Sequence, residues 1–411
     1  MKPSLTTRQY ALPFVLITSL FFLWGFARAI LDVLNKHFQN ELQITLTESS
    51  LVQVITYLGY FLMAIPAGLY INRFGYRRGV VTGLLLYAAG AFLFVPSGEF
   101  DVLYGYLGAL FVIACGLTFL ETAANPYATE LGPAATASSR LNLAQSFNGL
   151  GSALAPIIVG GFLFSGSASA DVTMPYIVMG FVVVFVALIF YHSRLPEIRH
   201  GQVATAEDLR QEHTNGLANL RQLLRRPMFL FGLLALLAYE ISEISINSYF
   251  INFTTGMGWL TSATASYVLG LSLFIFMGGR FLGSWLMRRV PAQRVLLWCA
   301  CGSVSCVALL VLTSQFPALG SARLPLVFLM ANYLFESIMF PTIFSLSLQG
   351  LGDLTKSASS VLMMTPVGGC GFLLMALMAD ATGSFVLPFL IPLVGYLVVM
   401  LFARRTLLRQ A

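Results

Sequence analysis

Twelve predominantly apolar stretches, each long enough to cross a bilayer as a helix, constrain this sequence more than any other feature. A spanning helix needs about 20 such residues. They recur at approximately 10–35, 49–72, 79–97, 102–124, 141–165, 174–193, 228–254, 262–287, 293–314, 323–349, 357–380 and 384–403. The chain is 57% hydrophobic and 10% charged, against roughly 25% charged in an average soluble domain. A soluble fold of this size has no way to hide so much apolar surface, so lipid is its natural solvent and the fold class is an all-α membrane protein. No small-residue cleavage site precedes the second span, so the first is read as retained rather than as a signal peptide.

The spans fall as six, a polar break, then six. The break contains six arginines, four acids and two histidines, and 209–224 within it has helical periodicity. This predicts a bundle over 1–193, a cytoplasmic linker over 194–227 and a second bundle over 228–411, in the manner of an internal duplication. Placing the N-terminus in the cytoplasm puts 19 of the 23 Lys and Arg residues on that side and only Lys36 and Arg323 on the other. That asymmetry predicts both termini inside. The net charge of +6 forms no single patch, so nucleic acid is not an expected partner. The five cysteines lie in apolar stretches without zinc or paired spacing and are read as buried structural residues. No metal or other cofactor is expected.

A charged side chain at mid-bilayer costs at least ~2.5–3.5 kcal/mol on insertion scales, so it needs a partner, a proton or a water-filled cavity. Asp32 and Arg28 lie four apart on one face of the first span. They form either a local ion pair that eases insertion or a carboxylate that grips a polyol beside a tuning arginine. Glu121 follows about twenty apolar residues and has no cation within four positions. Ionisation there is costly, and opening the site to water changes that cost, which is the physical basis of proton coupling. Asn142, Gln145 and Asn148 recur every three residues in the fifth span. Each amide both donates and accepts, which suits several sugar hydroxyls at once, although polar residues also glue membrane helices together. Glu243 and Asn247 share a stripe of the seventh span with Glu240 one turn earlier, and Asn332 and Glu336 are four apart in the tenth. Glu240 is read as nearer the interface, and Asp380 as an interfacial or loop residue. Trp24, two turns before Asp32, is the best candidate for packing against the apolar face of a sugar ring.

Two loops echo each other: Gly68 to Gly79, with Asn72, Arg73, Arg77 and Arg78, and Gly279 to Arg289, with Arg280, Arg288 and Arg289. They resemble the loop signature of the major facilitator superfamily, with Asn72 at the position of its usual Asp. Within that superfamily, Phe21-Phe-Leu-Trp24-Gly-Phe-Ala with Asp32, Leu120-Glu121-Thr-Ala-Ala-Asn125-Pro126, Leu141-Asn142-Leu-Ala-Gln145-Ser-Phe-Asn148 and Phe340-Pro341-Thr-Ile-Phe-Ser345 resemble the fucose–proton symporter family. The resemblance implies a major facilitator fold of two six-helix bundles in a bacterial inner membrane. It implies a proton-coupled monosaccharide symporter with Glu121 as the main protonation site. Asp32 would couple sugar binding to it, and Gln145 and Asn148 would hold the sugar. Arg28 stands where that pattern has amides, Glu336 where relatives often have Asn, and Glu243 resembles an acidic residue of hexose-transporting relatives. The sugar is therefore open between fucose, glucose or galactose, and N-acetylglucosamine.

The expected function is symport of a monosaccharide by alternating access, with Trp24, Arg28, Asp32, Asn142, Gln145, Asn148, Glu243, Asn247, Asn332 and Glu336 contacting sugar, Glu121 and Asp32 carrying proton coupling, and a monomer as the working unit. A proton-driven drug exporter of the same fold is the rival, but the wealth of amides favours a hydroxyl-rich ligand. A pump lacks its phosphate-binding loop here, and an enzyme lacks a nucleophile–base pair.

Overall fold

The computed structural model describes residues 6–100, 103–133, 137–165, 173–193, 221–287, 289–316, 323–351, 354, 358 and 361–409. Twelve helices among them are long and apolar enough to cross a membrane: α1 (Ala11–Leu42), α2 (Leu46–Ile71), α3 (Tyr76–Ser97), α4 (Leu103–Ala128), α5 (Leu143–Leu163), α6 (Thr173–His192), α7 (Pro227–Gly256), α8 (Ser262–Leu286), α9 (Ala292–Gln315), α10 (Leu324–Leu348), α11 (Thr365–Thr382) and α12 (Leu387–Leu408). No strand occurs among the described residues. A helix satisfies its own backbone polar groups, which hydrocarbon would leave unpaired. The outward faces are apolar at helical spacing. On α6, Val178, Phe181, Phe185 and Leu188 are each more than half exposed, as a lipid-facing stripe requires.

The chain divides into two compact units. The first comprises Met1–Ile44, Leu51–Val203 and Ser262–Gly270, and the second Thr45–Ser50, Ala204–Thr261 and Leu271–Ala411. Each thus takes a short segment from the other half of the sequence. In the second unit, Thr45 and Glu48 form a capping box at the start of α2, and the exposed Asp380 carboxylate accepts from Thr47 N–H at 2.7 Å.

Most spans match the lengths read from the sequence, with informative differences. Helix α1 continues to Leu42, so Asp32 sits well inside it rather than near its end. Glu240 is also inside its helix, 5% exposed and far from the first turn at Pro227, which corrects the interfacial reading. Helix α11 begins at Thr365 with a 3₁₀ stretch to Gly371, where Pro366 and a run of glycines weaken the α-helical ladder. The cysteines are free, but only Cys115 and Cys306 are buried and Cys301 is exposed. An apolar span therefore does not guarantee burial for every residue it contains. Of the segment 209–224 read as helical, 221–223 are helical, while 209–220 and the side chains of Asn72 and Asn142 lie outside the described residues.

Within the first unit the backbones of α1 and α5 approach closely at two glycines. A Cβ on Gly25 would lie 2.2 Å from Asn148 O, and one on Gly151 2.2 Å from Phe22 O. Small residues at such crossings are how membrane helices gain packing and interhelical hydrogen bonds without a hydrophobic driving force. A second device closes the end of α4. Arg140, fully buried on the helix Ala137–Ala155, donates to the carbonyls of Ala128 (3.1 Å), Pro133 (3.0 Å) and Gly132 (3.3 Å). It satisfies carbonyls that a helix end leaves without partners.

In the second unit, Pro341 breaks α10 into Leu324–Glu336 and Met339–Leu348. Proline lacks the N–H that would bond the carbonyl four residues earlier, that of Ser337. Arg280 Nε on α8 donates to that carbonyl at 3.3 Å. This gives an arginine in the interior of a span a structural task.

Candidate functional site

The first unit gathers most of the sequence-predicted residues onto α1, α2, α4 and α5. Trp24, 7% exposed, donates through Nε1 to Tyr60 Oη at 3.0 Å. One turn on, Arg28 donates through Nε to Tyr57 Oη at 3.1 Å, with its guanidinium carbon 5.8 Å from the Tyr57 ring centroid. The two tyrosine rings lie 6.2 Å apart. The aromatic wall of α2 thus locks the rotamers of two α1 side chains. Asp32 is buried one turn beyond Arg28.

Glu121 on α4 is half-buried and faces the same group. The Arg28 charge acts on it, and its own charge acts on Tyr60. Among the described residues it makes no hydrogen bond or ion pair. One turn along, Asn125 Oδ1 accepts from Gln145 Nε2 of α5 at 3.3 Å. Asn148 Nδ2 donates to Phe21 O at 3.2 Å, and Ser152 Oγ to Gly25 O at 3.2 Å. These contacts cross at the glycine pair, so the close approach of α1 and α5 sets where the amides stand.

Chemically, the constellation offers a carboxylate, a cation, two phenols, an indole face and three amides. Such a set can accept and donate to several hydroxyls and pack on an apolar ring face. Motif reading from the sequence found Trp24, Arg28, Asp32, Glu121, Gln145 and Asn148, all of which lie in this unit. It missed Ser152, whose hydroxyl looks like ordinary helix composition.

The second unit holds the other predicted residues. Asn247 Nδ2 donates to Glu243 Oε1 at 2.8 Å on α7, and Asn332 Nδ2 donates to Glu336 Oε2 at 2.8 Å on α10. Both are the i, i+4 pairs read from the sequence. Glu243 is half-buried, whereas Asn332 and Glu336 are fully buried. Tyr396 on α12 hydrogen-bonds Glu336 Oε2 and accepts from Asn332 at 3.1 Å. Nothing in the apolar sequence around Tyr396 marked it.

The description Major Facilitator Superfamily matches residues 17–370. A glucose/galactose transporter of Brucella abortus is 34% identical over 95% of this chain and 92% of its own length. An L-fucose-proton symporter of Escherichia coli K12 is 34% identical over 97% of this chain and 94% of its own. Among solved structures, the transporter FucP in its outward conformation superposes with a TM-score of 0.69 at 33% identity, covering 97% of this chain and 99% of that one. With the family match over most of its length and these relatives covered almost end to end, the chain belongs to the Major Facilitator Superfamily, in its fucose–proton symporter family.

Proposed function

We propose that this protein carries a monosaccharide into the cell together with protons, by alternating access. The observation that supports this best is Glu121: a half-buried carboxylate without a hydrogen bond or ion pair among the described residues, set among donors and aromatic rings that suit a sugar. The relatives named for fucose–proton symport and glucose/galactose transport support the same substrate class.

In this reading a proton neutralises Glu121 while Asp32, Trp24, Gln145 and Asn148 hold the sugar, with Arg28 beside them. Neutralisation lowers the cost of closing the site away from water. After release of the sugar, Glu121 returns its proton to the cytoplasm. Asn142, Glu243, Asn247, Asn332 and Glu336 are candidate further sugar contacts. The distribution of Lys and Arg supports cytoplasmic termini in a bacterial inner membrane, with the monomer as the working unit and the two sequence halves, 1–193 and 228–411, as its bundles about the linker.

The test is uptake of labelled fucose, galactose, glucose, N-acetylglucosamine and mannose by expressing cells, with and without a protonophore. Accumulation of one sugar that the protonophore abolishes is the expected result. No accumulation of any sugar, with drug resistance conferred instead, would turn the reading to an exporter.

A further inference from the structure

Glu336 stands apart from the other candidate sugar contacts. It is 0% exposed on α10, so no sugar reaches it in this structure. Both of its donors, Tyr396 Oη and Asn332 Nδ2, converge on Oε2. Its second oxygen, Oε1, is buried without a hydrogen-bond partner, as is Asn332 Oδ1. Among the described residues Glu336 makes no ion pair.

An ionised carboxylate accepts at both oxygens and, when buried, requires compensation at each. Here only one oxygen is served. The neutral acid fits the arrangement: Oε2 is the carbonyl-like acceptor for two donors, and Oε1 is the oxygen on which a proton resides. The surroundings point the same way. From α7, the Glu243 charge acts on Glu336, and Glu240 and Tyr239 belong to the same electrostatic group. From α9, Cys306 feels Glu336, and from α12 comes Tyr396. On α8, Arg280 acts on Tyr239, stacks 4.7 Å over Phe276 and bonds the carbonyl of Ser337, next to Glu336.

We propose that Glu336 is a second proton-binding site and that its proton is loaded and released in the transport cycle alongside that of Glu121. This rests on the symport reading above and extends it to a second unit of the chain and to stoichiometry.

The experiment is the proton-to-sugar ratio of the full-length protein in proteoliposomes, from the sugar gradient that just balances an imposed proton gradient. The probe is whichever sugar of the panel the cells accumulate. The expected ratio is about two for the unsubstituted protein, about one for Glu336→Gln, and about two again for Glu336→Asp, which keeps a protonatable group. A ratio of about one without substitution, or of about two in Glu336→Gln, overturns the second site and leaves symport through Glu121 intact. Sugar flux without any proton movement overturns the symport reading and this inference with it. Should Glu336→Gln not fold, Tyr396→Phe, which removes one donor to Oε2, is measured instead. A shifted pH profile of uptake supports the site, and an unshifted one overturns it.

Discussion

The replacement of Gly25 by alanine isolates the contact on which the first-unit site is built. An added Cβ would stand 2.2 Å from Asn148 O and 2.9 Å from Asn148 Nδ2. Ordinary carbon contacts need about 3.5 Å, so α1 and α5 must part by about 1 Å. Two hydrogen bonds then stretch past their useful range, Asn148 to Phe21 O and Ser152 to Gly25 O, both already 3.2 Å. Each is worth about 0.5–1.5 kcal/mol, and overpacking adds about 1–3 kcal/mol. Better helix propensity returns up to about 1 kcal/mol, for a net loss of roughly 2–4 kcal/mol. In detergent the thermal midpoint should fall by about 2–5 °C, and sugar affinity should weaken roughly tenfold as Asn148 moves, since 1.4 kcal/mol is tenfold. Gly108→Ala on α4 is the control, because a Cβ there meets nothing within 4 Å. Its midpoint should hold or rise. A Gly25→Ala protein that melts with the control and binds sugar normally would refute the idea that this crossing positions the site.

Glu121→Gln should weaken accumulation sharply, to no more than the Glu336 proton can drive, while leaving counterflow, which needs no net proton movement. Loss of both would make Glu121 a binding or folding residue. Arg140→Ala should cost about 2–4 kcal/mol by stranding three carbonyls at the end of α4, read as lower yield and a lower midpoint, with the sugar affinity of surviving protein unchanged. Tyr60→Phe frees the Trp24 indole and should weaken sugar binding about three- to tenfold, the worth of a neutral hydrogen bond, as followed by tryptophan fluorescence. A wild-type affinity there would remove Trp24 from the sugar contacts.

Much of this protein was legible in the chain because membrane insertion is decided locally. A run of apolar residues declares a helix without reference to anything distant, and an acid such as Glu121 or Asp32 within one declares itself by its cost. The i, i+4 pairs Glu243–Asn247 and Asn332–Glu336 were readable for the same reason, since helical periodicity brings them together. Only the tertiary structure decided the rest. Trp24 meets Tyr60 across 36 positions, Asn148 meets Phe21 across 127, and Glu336 meets Tyr396 across 60. The sequence is silent on such pairs because in lipid an apolar face does not announce its neighbour: Leu against lipid and Leu against a helix look alike, and the choice rests on close packing at a few small residues. Burial followed the same division. Glu121 and Glu336 are both acids in apolar spans, yet packing left one half-open with neither hydrogen bond nor ion pair among the described residues, and closed the other behind a tyrosine and an amide.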